Sequence, residues 1–442
     1  MKKTKNVLSG SGQSLYKKAK LLMPGGTQLL SKRPEMFAPD VWPAYYSKAK
    51  GSHVWDMDGN KFLDMSIMGI GANILGYADE DVDREVARAI KNGSSSTLNC
   101  PEEVELAELL IKLHPWSQMV RYARSGGEAM AVAIRIARAA TKRDLVLFSG
   151  YHGWTDWYLA ANLGDTAALD GQLMPGLQPN GVPRGLKGTA IPFSVSDIGG
   201  LKEAVAGREK EIAAIVIEPA RGEDAPKDAL IELRSFASEI GCVLVFDEIT
   251  SGFRMNAGGI HLKYGVNPDM AVFAKSIGNG YAISAVLGTE HVMEAAQTTF
   301  ISSTNWTERI GPTAALATIR KYIKRHVDRR IIKTGESVKE VWRQKAGKYH
   351  LDIQISGLPT LATFSFKSEH NQAILTYFVI RMLELGFLGF RQFKASYAHS
   401  AEDVARYSKA VDMVFSEIAC KEPSSLLSTP VAHLGFHRLT KE

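Results

Sequence analysis

The 442-residue chain is 45% hydrophobic and 23% charged, a globular composition with length for a large domain and a smaller one, which excludes disordered and collagen-like classes. Its formal charge of +6 is mild and dispersed, so a stretch such as KYIKRH (321–326) reads as a solvated helix face and nucleic-acid binding is not expected. Cys100, Cys242 and Cys420 stand far apart with no CxxC and no HExxH, which argues against a disulfide framework or a metal site and for reduced thiols.

The basic start MKKTKN runs into LSGSGQS rather than an apolar core, and no later run is long enough to cross a bilayer, so a cytoplasmic location is expected. Residues 13–23 read as a helix stopped by Pro24-Gly25-Gly26, and HVWDMDGNKFLDM (53–65) reads as a hairpin turning at Asp58-Gly59. Pro101-Glu102-Glu103 opens another helix, since proline needs no amide partner there and acids suit the positive end. Val104, Ala107 and Ile111 are expected on its buried stripe.

Between about 119 and 289 the runs LVLFS (145–149), TAIPF (189–193), AAIVIEP (213–219), CVLVFDE (242–248), MAVFAK (270–275) and ISAVLGT (283–289) alternate with helical stretches. This predicts an α/β fold with a mainly parallel central sheet covered by helices on both faces. The helix near 226–240 groups Leu230, Leu233, Ala237 and Ile240 and stops at Gly241. Beyond about 310, a helix, strands within 350–367 and two further helices predict a smaller α+β unit, the last helix entered by Ser400 with Asp403 in a capping-box arrangement. The tail 421–442 reads as irregular.

Ligands of open α/β sheets gather beyond the carboxyl ends of the strands, where this sequence puts Ser149, Glu218, Asp247 and Lys275. Each alone is an ordinary polar strand end; together they point to a site. Lys275 follows Val272-Phe273-Ala274 and precedes a tight turn, a setting whose partial desolvation favours the neutral, nucleophilic amine. Asp247 ends an equally apolar strand and can hold a pyridine nitrogen protonated by a charge-assisted bond. An amine for a Schiff base and a carboxylate for a ring nitrogen are the two fixtures that pyridoxal phosphate (PLP) requires, so PLP is the expected cofactor. Ile249, one side-chain repeat onward, faces the same way as Asp247 and suits packing on the ring.

In ARSGGEAMAVAIRIARAATK (123–142), Ser125, Gly126 and Gly127 form either a phosphate cradle at a helix N-terminus or a plain connecting turn. Tyr151 is placed either to stack on the cofactor or to pack in the core. His152, grouped with the cofactor residues, is read as a structural hydrogen-bonding group rather than an acid–base catalyst. Trp55, Trp154 and Trp157 are read as packing.

Asp247-Glu248-Ile249 with TSGFR, Lys275 in FAKSIGNGY, and the segments SGGEA, YHG, IEP and PGG resemble the class III, fold-type-I, PLP-dependent aminotransferases, nearest the glutamate-1-semialdehyde aminomutase-like branch, over about 20–418. The resemblance implies a large PLP domain (71–310), a small domain from both chain ends (1–70 and 311–442), and a homodimer with shared active sites. It assigns the Schiff base to Lys275, the pyridine nitrogen to Asp247, ring stacking to Tyr151 and the phosphate to 125–127. SSTNWTERIGPTAAL (302–316) resembles the family segment that reaches the neighbouring subunit's phosphate, with Thr304 as first choice and Thr307 as second.

Departures from the aminomutase pattern concern the substrate. Arg391, in GFRQFKASYAHS (389–400), stands where the aminomutase carries a glutamate, and Lys32 or Arg33 lies where it carries a substrate-binding arginine. In many relatives the Glu218 counterpart pairs with a C-terminal arginine, a part open to Arg391. The expected activity is transfer of an amino group from a donor, glutamate being the first choice, to an aldehyde or ketone. The alternative is an intramolecular 2,1-aminomutase. A nucleotide-dependent oxidoreductase lacks its GxGxxG after an early strand, and a non-catalytic PLP-binding protein is disfavoured by the intact Asp247 and Lys275.

Overall fold

The computed structural model describes residues 10–172, 175–220, 227–422 and 426–435, so the MKKTKN start, the 226 edge of one expected helix and parts of the tail lie outside the described residues. The chain divides into two compact units, Glu80–Asp328 and the combined segments Met1–Asp79 and Arg329–Glu442. The divisions fall later than 70 and 310 because the helix Ile310–Lys324 is continuous and packs on the helices Glu80–Lys91 and Pro101–Leu113. Arg309 and Lys321 add ion pairs with Glu102 and Asp81, each at 2.7 Å.

In the first segment the helix Ser11–Leu22 ends ahead of the Pro-Gly-Gly turn. Strands β1 (Tyr46–Lys50), β2 (His53–Asp56) and β3 (Lys61–Met65) then form an antiparallel meander. The β2–β3 turn uses Gly59 at φ +81°, a left-handed conformation that costs glycine little.

The larger unit holds β4 (Met119–Ala123), β5 (Leu145–Ser149), β6 (Ala190–Pro192), β7 (Ile212–Ile217), β8 (Val243–Asp247), β9 (Met270–Phe273) and β10 (Ser284–Gly288). They form one sheet in the order β4-β10-β9-β8-β7-β5-β6. The run from β9 through β6 is parallel, and β10 is antiparallel to both neighbours. Every residue of β7 and β8 is buried, which is why these strands are continuously apolar instead of alternating; each buried Val, Leu or Ile contributes roughly 1.5–3 kcal/mol. The helix Lys227–Ile240 buries Leu230, Leu233, Phe236 and Ala237, with Ile240 half-buried, and Gly241 follows at φ +65°.

One helix face differs from expectation. Pro101–Leu113 buries Leu106 and Leu110, while Val104 is exposed and Ala107 and Ile111 are half-buried. The helix turns its i, i+4 pair Leu106 and Leu110 inward, and Glu102 and Glu105 pair with Arg309 and Arg320.

The last segment supplies β11 (Ile353–Ser356), β12 (Leu361–Phe366), β13 (Phe387–Gly389) and β14 (Gln392–Lys394). β13 lies parallel on β3, joining both chain ends in a four-stranded sheet, while β11, β12 and β14 form another. The helix Ala401–Ala419 begins with the expected reciprocal Ser400–Asp403 capping box. No helix among the described residues is long and apolar enough to cross a membrane, and the three cysteines are free.

Candidate active site

The sheet order sets the chemistry side by side. Neighbouring parallel strands β9, β8, β7 and β5 lead at their carboxyl ends to Lys275, Asp247, Glu218 and Ser149. Lys275 itself sits at φ +48°, a conformation that is costly for a side chain with a Cβ and persists only where the surroundings impose it. The turn behind it is fastened by the Ser276 hydroxyl, which donates to the Gly252 carbonyl at 2.8 Å.

Asp247 is 2% exposed. Its Oδ1 accepts from the Ile249 amide at 3.0 Å, and its Oδ2 meets His152 Nδ1 at 2.8 Å. The other His152 nitrogen lies 3.1 Å from the Ser149 carbonyl oxygen. Both ring nitrogens thus face oxygen atoms. Stacking on Trp157 at 6.2 Å and edge contacts with Phe148 and Tyr158 fix the ring. In this geometry His152 meets Asp247 directly.

Glu218 Oε2 accepts from the Tyr151 amide at 3.0 Å. A Cβ on Gly150, which sits at φ +112°, would stand 2.6 Å from that same oxygen, so the turn between β5 and Tyr151 needs glycine there. Tyr151 is half-buried and meets Tyr158 edge-on at 5.8 Å.

The 125–127 turn opens the helix Gly126–Thr141. Ser125 is its N-cap: its amide donates to Glu128 Oε2 at 2.8 Å and its hydroxyl accepts from the Glu128 amide. The amides of Gly126 and Gly127 have no acceptor among the described residues, and at a helix N-terminus such groups suit an anion. Side chains also approach both glycines closely. A Cβ on Gly126 would lie 2.8 Å from Ile249 Cδ1, and one on Gly127 would lie 3.1 Å from the Trp154 indole. Ile249 therefore lies against the cradle, and Trp154, expected as packing, lies beside it and is mostly exposed.

Thr304 starts a 3₁₀ turn and is exposed, while the Thr307 hydroxyl donates to the Thr304 carbonyl at 3.0 Å. The segment is tied to the residue before the cradle: Arg124 donates to the Trp306 and Glu308 carbonyls, each at 2.9 Å. Glu308 in turn caps the helix that follows.

The substrate-side expectations all lie in the smaller unit, apart from Glu218. Lys32 is exposed. Arg33 folds back, its guanidinium lying where a Cβ on Gly25 would be. Arg391 is half-buried beside the Phe390 ring, with its guanidinium 5.9 Å from the centroid. Burial alone pushes that guanidinium down, and no carboxylate pairs with it among the described residues.

Two features were not expected from the sequence. The Thr250 hydroxyl oxygen accepts from Lys275 Nζ at 2.8 Å; no local motif signals a contact that spans 25 positions. Beneath it, buried Glu248 accepts from the Ser251 hydroxyl, the His261 amide at 3.0 Å and His261 Nδ1 at 2.8 Å. Trp116 Nε1 donates to His261 Nε2 at 2.9 Å, which fixes the proton on Nδ1. Burial opposes the charge of Glu248, but the His261 and Ser251 bonds outweigh it and hold the carboxyl below its ordinary range.

Residues 36–394 match the family model "Aminotransferase class-III". The chain is 30% identical over 422 residues to 3-aminobutyryl-CoA aminotransferase of Cloacimonas acidaminovorans, covering 92% of this chain and 96% of that one. It is 31% identical over 432 residues to glutamate-1-semialdehyde 2,1-aminomutase of Thermodesulfovibrio yellowstonii, covering 92% and 99%. An omega-transaminase from Sphaerobacter thermophilus has the same fold, with a TM-score of 0.83 at 24% identity over 94% of this chain and all of that one. A lysine, a buried carboxylate and an anion-ready helix start around one row of strand ends fit PLP, and the chain belongs to the class-III aminotransferase family as a PLP-dependent aminotransferase.

Proposed function

We propose that transfer runs through Lys275 and Asp247 in two halves, with glutamate as the amino donor and an aldehyde or ketone as the acceptor. When bound, PLP supplies an electron sink for the charge left on the substrate carbon as its proton departs. The Asp247 carboxylate, held by His152 and the Ile249 amide, accepts from the ring nitrogen and keeps it protonated. The Gly126 and Gly127 amides hold the phosphate at the positive end of their helix, with Ser125 capping that turn. Ile249 and Tyr151 bound the ring and exclude water. The Lys275 amine anchors the cofactor, takes the proton from the substrate carbon and returns it on the other side of the transfer. The observation that carries this reading is the adjacency of parallel β8 and β9, which lead to Asp247 and Lys275.

Lys32 and Arg391 are assigned to an anionic group on the substrate, a role supported by the half-buried Arg391 guanidinium with no acid beside it. Arg33 and Glu218 are assigned to holding local turns. The protein is proposed to act in the cytoplasm as a homodimer in which the exposed Thr304 serves the neighbouring copy's phosphate. Leu98 and Val104, large apolar side chains left exposed on the larger unit, support such an apolar contact. Mixing PLP-loaded protein with glutamate alone should release 2-oxoglutarate stoichiometrically. Failure to do so, together with donor-free isomerisation of an amino aldehyde, would replace this reading with the 2,1-aminomutase.

A further inference from the structure

The geometry points to Thr250 as the residue that positions Lys275 for capture of the cofactor's aldehyde, an inference that rests on Lys275 being the anchoring amine. Lys275 reaches its nitrogen through four freely rotating bonds, a freedom that must be lost before the amine can attack. Thr250 removes it at the nitrogen itself, 2.8 Å away. The direction of the bond matters: a neutral amine has two N–H donors and one lone pair, and donating one N–H to the Thr250 oxygen does not draw on the lone pair that attacks. Capture forms a carbon–nitrogen double bond between Nζ and the aldehyde carbon, and both amine protons leave with the aldehyde oxygen as one water. The Thr250 hydroxyl keeps its own proton throughout.

Thr250 suits the role because it sits in a turn that hydrogen bonds tie down on both sides. Its side chain is β-branched and stiff at χ1. Its carbonyl accepts from Nε of the fully buried Arg254 at 3.3 Å. The residues on either side are tied down: the Ile249 amide to Asp247, the Ser251 hydroxyl to Glu248, and the Gly252 amide to the Glu248 carbonyl at 2.8 Å. One turn thus orients both groups that meet the ring, Asp247 directly and Lys275 through Thr250.

The test uses cofactor-free full-length protein and follows, by stopped-flow absorbance, covalent capture of PLP by wild type, Thr250→Val, Thr250→Ser and Lys275→Ala. Binding of pyridoxamine phosphate, which has no aldehyde, is followed separately by fluorescence. Removing one hydrogen bond from the attacking amine should slow capture by about three- to tenfold in Thr250→Val. Thr250→Ser, which keeps the hydroxyl but not the β-branching, should recover most of the loss and capture faster than Thr250→Val, and pyridoxamine phosphate affinity should be unchanged in both. Capture by Thr250→Val at the wild-type rate would overturn the inference, as would an equal loss of pyridoxamine phosphate binding, which marks a general distortion of the pocket. Covalent capture that persists in Lys275→Ala would instead overturn the assignment of Lys275.

Discussion

Asp247 and Arg391 are both charged groups drawn out of water, and their surroundings treat them in opposite ways. Asp247 is enclosed at a strand end with an imidazole on one oxygen and an amide on the other. Arg391 is half-buried with no acid among the described residues, so burial alone acts on its guanidinium. A buried charge is normally paired. In the function proposed above, that contrast separates a site made ready for a resident cofactor from one whose counter-charge arrives with each substrate.

The largest test of the cofactor side is Lys275→Ala, which should lower turnover on the order of 10³-fold or more while leaving the circular dichroism spectrum unchanged; substantial remaining turnover would sink the assignment. The substrate side should fail differently. Arg391→Met is expected to raise KM for a carboxylate-bearing substrate by about tenfold or more, with little change for a neutral amine and none in PLP affinity. A uniform loss across both substrates would remove the distinction drawn above.

The smallest effect concerns the support beneath the strand ends. His114 is wholly buried; Nδ1 donates to the Leu110 carbonyl and Nε2 accepts from the Gly259 amide, at 2.8 and 2.9 Å. Burial lowers its pKa from 6.5 to about 4. Above pH 6.5 the ring is neutral in both folded and unfolded chains and the fold loses nothing. As the pH falls from 6.5 toward about 4, the unfolded chain takes a proton that the folded one refuses, so stability drops by on the order of 3 kcal/mol. Thermal melts across that window should show Tm falling in wild type and a flatter profile in His114→Gln; equal slopes would remove His114 from the acid response.

Much of the fold was legible in the sequence because its signals are local. Fully buried strands read as unbroken apolar runs, Gly241 marks a helix end, and Ser400 with Asp403 writes its own cap. The polar residues that end those runs, Ser149, Glu218, Asp247 and Lys275, were visible for the same reason. Failures came where a residue answers to something distant. Val104 reads as stripe and is exposed, because the helix packs through Leu106 and Leu110 against elements distant in sequence. Ser125 is a local case by contrast: its amide bonds Glu128, three positions on, in a capping box. Arg33 and Lys32 were equivalent on paper until one folded back over Gly25.

The amino-acid order alone determined that this chain forms an α/β sheet with an amine and a carboxylate at successive strand ends, since periodicity and strand-end polarity are properties of a few neighbouring residues. Tertiary structure decided how those groups are held: the His152 clamp on Asp247, the Thr250 bond to Lys275, the Glu248–His261–Trp116 network and the unpaired burial of Arg391. Hydrogen bonds and desolvation act through space, and their partners here are separated by as many as 145 positions, beyond the reach of any local pattern.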